Sequence, residues 1–193
     1  MNLPILSPVK SSNIHQFIEY WSKLYFYPDI HFYKNIHKTI LAPHDLQELF
    51  QWKNGMNLSF KKQTSLDRKV QPLLYQINKY KNEKDIDLQC FQNTFKEVST
   101  VWKIFILHII KPTQFPIYDQ NVHRAYLYIT NKEYRNFKYN SLSNKKKEQF
   151  YFEEYLPLIE GLKFEDVEKL DKAFFDFGQF INTKEYKSIL SKN

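Results

Sequence analysis

Glycine is nearly missing from this sequence, with three in 193 residues: Gly55, Gly161 and Gly178. Glycine alone enters positive φ without steric cost, so its scarcity excludes hairpin-rich β folds and glycine-rich phosphate loops. Cysteine occurs once, as Cys90. That rules out an intramolecular disulfide or a cysteine metal cluster and fits a reducing compartment. Long apolar runs are missing too: the longest, IFILHII (104–110), is too short for a bilayer and is interrupted by His108. The N-terminal MNLPILSPVK lacks the basic-then-apolar layout of a secretory signal. The expectation is a cytoplasmic protein with no membrane partner.

Several enzyme motifs are absent as well. No GxSxG, CxxC, Walker loop or dinucleotide fingerprint occurs, and nothing calls for a cofactor. The histidines at 15, 31, 37, 44, 108 and 123 show no HxxxH or HExxH spacing, so no pair of metal ligands falls on one helical face.

What is present is aromatic and basic. Apolar residues make up 42% of the chain and aromatics 18%, with 14 Tyr and 17 Phe, enough for a packed interior rather than a disordered chain. Lys plus Arg outnumber Asp plus Glu by 28 to 21, giving a net charge of +7. The corresponding pI is about 9.2, and such an excess favours an anionic partner, nucleic acid before membrane surface.

Helical periodicity recurs along the chain. NIHQFIEYWSKLYF places Ile14, Phe17, Ile18, Trp21, Leu24 and Tyr25 on one face, with Ser11–Ser12 as N-cap candidates and Pro28 as the stop. Residues 1–10, with two prolines, read as extended. APHDLQELFQWKNG carries Leu46, Leu49, Phe50 and Lys53 before Gly55, a C-terminal stop. NLSFKKQTSLDRK reads as polar and irregular. PLLYQINKYKNEK, DLQCFQNTFKEV and TVWKIFILHIIK follow as helices, the last apolar around most of its circumference and therefore central. After PTQFP a helix begins near Asp119. KEYRNF and YNSLSNKKKEQFYFEEYLPLIEGL suggest two more, and KFEDVEKLDKAFFDFGQFI closes the chain. The fold expected is all-α, with seven to nine helices in one compact unit over 1–193, divisible into two lobes (about 1–80 plus 140–193, and 81–139).

The residues with chemical potential cluster late in the chain. Asp119, in FPIYDQNVHRA, reads as an N-cap or as an essential acid, with Lys111, His123 and Arg124 flanking it as cations. Lys103 lies among Val101, Trp102, Ile104 and Phe105, where desolvation lowers an amine's pKa and favours a nucleophile; the alternative is a lysine that snorkels to solvent or binds phosphate. Ser99–Thr100 open that helix, as routine caps or as a phosphate site on its N-terminus.

The run from Phe91 through Ile129 resembles the central part of the helix-hairpin-helix DNA glycosylase superfamily, which includes endonuclease III-like and oxoguanine glycosylases. In that family a hairpin and an apolar helix precede a loop and an aspartate, in a pattern like V-D-x-H-V-x-R-V. Here IYDQNVHRAY supplies Ile117, Asp119, Val122 and Arg124, with Asn121 in the place of the usual histidine. The family's glycine-containing hairpin corresponds to FKEVSTVW, which has no glycine. An ungapped alignment puts Val101, not Lys103, at the position of the nucleophilic lysine of bifunctional members. The resemblance implies a two-lobed all-α fold with a DNA cleft between the lobes. It also implies Asp119 as catalytic acid, with Lys103 as the weaker imine-forming candidate. Ser99, Thr100, Lys111, His123 and Arg124 would contact double-stranded DNA, and Trp102, Tyr118 or Trp52 would receive the flipped base. A monomer is the expected state. The rival reading is a catalytically inactive DNA-binding or protein-interaction scaffold of the same fold.

Overall fold

A computed structural model describes residues 13–26, 30–183 and 186. Among the described residues the chain is all-helical with no strand, and it holds nine helices when 144–162 is counted as one and the single turn Ile30–Tyr33 is set aside. They are α1 (Ile14–Leu24), α2 (Pro43–Asn54), α3 (Phe60–Lys69), α4 (Leu74–Asn82), α5 (Leu88–Thr94), α6 (Thr100–Ile110), α7 (Gln120–Ile129), α8 (144–162) and α9 (Val167–Phe180).

Capping explains most of the helix starts. Asn13 caps α1, its side chain accepting from the N–H groups of His15 and Gln16. The extended reading of 1–10, the Ser11–Ser12 cap and the Pro28 stop lie outside the described residues. Asp87 caps α5, Asp119 caps α7, Ser143 caps α8 and Asp166 caps α9. Gly55 ends α2 at φ 72°, a left-handed conformation that disfavours any residue with a Cβ.

Two segments differ from the sequence expectation. NLSFKKQTSLDRK is not irregular: it forms α3, anchored by one fully buried side chain, Leu66. KEYRNF is not helical. The Glu133 carboxylate accepts from the N–H groups of Arg135 and Asn136, a local turn that competes with helix, and Asn131 at φ 55° has already ended α7. Within α8 the backbone widens to a π segment over Phe150–Tyr155 and returns to α at Leu156–Leu162. Pro157 supplies a reason: it has no N–H to offer and its ring would crowd the carbonyl four residues back, and a wider turn relieves that crowding.

The interior forms two apolar clusters. One is built from the 33–115 stretch, with Leu46, Phe50, Phe91, Phe105 and Leu107 among its buried members. The other joins Ile18 of α1 to Tyr118, Val122, Tyr151, Tyr155, Leu170 and Phe174. α6 serves both, with Ile104 in the second cluster and Phe105–Leu107 in the first. The buried members from 91–115 join those from 33–80, Ile104 excepted, and those from 118–126 join those from 150–181, with Leu156 in the first cluster instead. Each fully buried Phe or Leu contributes about 1.5–3 kcal/mol of transfer free energy, and both clusters are rich in them.

Candidate functional site

Where the two clusters meet, a pocket opens, its roughly 500 Å³ of space including the open solvent at its entrance. Its walls are aromatic: Tyr25, Tyr33, Trp52 and Phe175 line it. Tyr33 lies 4.5 Å from Trp52 between ring centres, and Tyr25 meets Phe175 edge-on at 5.8 Å. Polar groups reach the same space from three helices: Lys53 of α2, Asp119 at the head of α7, and Glu168, Asp171 and Lys172 of α9.

Asp119 is held by its capping role. Oδ1 accepts from the N–H groups of Asn121 at 2.8 Å and Val122 at 3.0 Å. Oδ2 is turned the other way and lies 3.6 Å from the Lys53 ammonium, the two side chains being 20% and 11% exposed. One oxygen fixed by backbone and the other paired with Lys53 beside a pocket sets the orientation of the carboxylate before any ligand arrives.

Asp171 is the second carboxyl group. It is buried, and its Oδ2 accepts from the Ile117 N–H at 2.9 Å, while Oδ1 has no hydrogen-bond partner among the described residues. Burial pushes its pKa well above the usual carboxylate range, against the opposing pull of the Ile117 N–H and of Lys53. His108 Nδ1 is 3.9 Å from Asp171 Oδ2, but the pair is not ionic. His108 is buried and pulled down to about 3 by desolvation, so it is neutral. Its Nδ1 is 2.7 Å from the Phe115 carbonyl, which can only accept, so the proton sits on Nδ1. Nε2 then accepts from the Tyr33 hydroxyl at 2.9 Å. Tyr33 is thereby locked as a wall of the pocket.

The other sequence candidates go elsewhere. Lys103 pairs with Glu148 at 3.2 Å and lines a separate small cavity with Phe91, Thr100 and Phe152; it does not share a pocket with Asp119. Thr100 is buried, its hydroxyl donating to the Asn144 carbonyl at 3.3 Å, whereas Ser99 is exposed and its side chain makes no cap hydrogen bond. Lys111 donates to the carbonyls of Lys81 and Glu83 and so closes the C-terminal end of α4. His123 is buried, stacked at 3.6 Å on Phe150, hydrogen-bonded to the Tyr118 hydroxyl and pulled down to about 3 by desolvation. Arg124 is buried and clamps α7 to α9 through Asn121 Oδ1 at 3.0 Å and the Gly178 carbonyl at 3.2 Å. Trp102 packs edge-on against Phe50 at 4.8 Å, and Tyr118 is buried in the second cluster; of the three aromatics named from sequence, Trp52 alone lines the pocket.

Several pocket residues were missed, and for two of them, Lys53 and Asp171, the sequence held a signal. Lys53 stands seven residues after Leu46, four after Leu49 and three after Phe50, on the apolar stripe of α2. Asp171 stands four after Val167 and three before Phe174, on the inner face of α9. A charged residue at a core position of an amphipathic helix is costly unless paired or functional. Comparison with protein-family models, with characterised proteins and with solved structures gives no match for this chain.

Proposed function

We propose that this chain acts on nucleic acid as an N-glycosidic hydrolase that draws a base into the aromatic pocket and uses Asp119 as its acid. The observation that carries the reading is the position of Asp119, fixed by its own helix cap at the mouth of a pocket walled by four aromatic rings. Planar groups stack on such walls, and a fixed carboxylate suits the positive charge that develops on the sugar. In the reaction the C1′–N bond breaks and its electron pair leaves with the base. The sugar gains oxocarbenium character, which the Asp119 carboxylate stabilises, and a water oxygen then bonds to C1′ while the departing base takes up a proton. The basic surface of the molecule supports an anionic partner, double-stranded DNA in this reading.

Base release from a panel of duplexes carrying single damaged or mismatched bases tests it. Wild type is expected to release at least one base, and Asp119→Asn to release it about 100-fold more slowly or worse, the range seen when one preorganised electrostatic group is removed. Equal release by both proteins removes Asp119 from the chemistry.

The internal use of Lys111, His123 and Arg124 favours a second reading, a binding or scaffold protein without catalysis. DNA binding with no base release from any duplex would select it.

A further inference from the structure

Resting on that reading, we propose that Lys53 selects the base: its ammonium donates a hydrogen bond to a ring carbonyl oxygen, so the pocket takes neutral keto bases and rejects cationic, alkylated ones. Aromatic walls accept any planar ring, so discrimination must come from the polar groups. Most of these are committed. Lys172 is tied to Glu168 at 2.6 Å. Asp119 Oδ1 is held by the α7 backbone, and Asp171 Oδ2 by the Ile117 N–H. Lys53 differs. Among the described residues its one partner is Asp119, at 3.6 Å, beyond the 2.7–2.9 Å of a good charge-assisted bond. Lys53 Nζ, on a side chain 11% exposed, has three donors and a single long pairing, so donors remain for a pocket ligand.

Charge balance points the same way. Lys53 faces Asp119 and Lys172 faces Glu168, while burial favours the neutral form of Asp171. With Asp171 neutral the charges lining the pocket balance, and a cationic ring would meet the Lys53 charge in a partly buried space. A keto ring supplies the missing acceptor. It also gains during cleavage: the electron pair of the C1′–N bond delocalises onto that carbonyl oxygen, and the ammonium stabilises it until the base nitrogen takes a proton from solvent.

Three bicyclic probes built on one fused-ring frame separate the possibilities by calorimetric titration of the full chain at pH 7.5. They are 2-benzimidazolinone, which bears a carbonyl, benzimidazole, which does not, and the permanently charged 1,3-dimethylbenzimidazolium. The expected order is benzimidazolinone tighter than benzimidazole by about tenfold or more, as for a hydrogen bond to a charged group, with the cation weakest. Lys53→Met should erase the carbonyl preference, and Lys53→Arg, which keeps charge and donors, should retain it. A cation that binds as tightly as the keto ring overturns the assignment. So does a preference that survives in Lys53→Met, and so does a wild-type chain that binds none of the three. Binding requires no bond cleavage, so the two proposals fail separately. Equal base release by wild type and Asp119→Asn sinks the hydrolase reading and leaves the carbonyl preference standing.

Discussion

His108, His123 and Asp171 each hold a protonation state that water would not give them at every pH, and this makes stability pH-dependent in a way that can be signed. Both histidines have ordinary values near 6.5 and fall to about 3 when folded, through burial. Between those values the unfolded chain binds a proton that the folded chain does not. Stability is therefore lost as pH falls through that window, at up to about 1.4 kcal/mol per pH unit for each histidine. Asp171 runs the opposite way. Its folded pKa lies well above the ordinary carboxylate value of 3.8, so its contribution is fully present below about 3.8 and is lost as pH rises toward the folded value. Asp171→Asn keeps an acceptor for the Ile117 N–H and removes the titration. The variant should melt higher than wild type at pH 7, and the gap in Tm should close as pH approaches 4. A gap that is constant with pH would mean that Asp171 is ionised in the folded protein.

At the scale of elements, the crossing of α7 and α9 determines whether Asp119 is presented at all. Gly178 of α9 abuts the start of α7 so closely that a Cβ there would sit 1.9 Å from the Asn121 carbonyl oxygen. The obstacle is backbone, and backbone in the first turn of the helix that Asp119 caps. Gly178→Ala should destabilise the fold by about 3 kcal/mol, the upper part of the overpacking range, and displace the Asp119 cap with it. Gly161, also helical, has nothing within 4 Å of its Cβ direction, so Gly161→Ala should be stabilising by about 0.5–1 kcal/mol. Urea unfolding of the pair gives both signs in one experiment. Capping and 3.6-residue periodicity were enough to place α1, α6, α7 and α9, and to put Asp119 at a helix start. They could not rank Lys53 above Lys103, because both are lysines among apolar neighbours. The distinction lies in which helix packs over the start of α7, a long-range fact with no local signature. The polar α3 was illegible for a related reason: one buried leucine, Leu66, docks it, and a single anchor leaves no periodic trace.

For the molecule as a whole, the net charge of +7 must be carried at the surface to matter to a partner, and the structure sorts the cations sharply. Arg124 is buried, His123 is buried and neutral, and Lys111 is spent on backbone carbonyls. Lys61 and Lys62 on α3 and Lys145 and Lys146 on α8 are exposed. The last two sit in the first turn of their helix, where the dipole disfavours a cation unless an anion is near. Binding to duplex DNA, on the proposed reading, should weaken linearly in log salt. Each lysine that meets a phosphate contributes about 0.9 to the slope. Lys145→Ala with Lys146→Ala, and likewise Lys61→Ala with Lys62→Ala, should each reduce the slope wherever the pair contacts the backbone, with little change in Tm. Arg124→Met should do the reverse, lowering Tm through the lost bonds to Asn121 and Gly178 while leaving the slope of the folded fraction unchanged. Fluorescence anisotropy on one duplex across a salt series, with melting curves alongside, separates the two classes. If neither exposed pair moves the slope, the basic surface is not an interface for DNA, and the aromatic pocket would then have to take its planar ligand free in solution rather than from a strand.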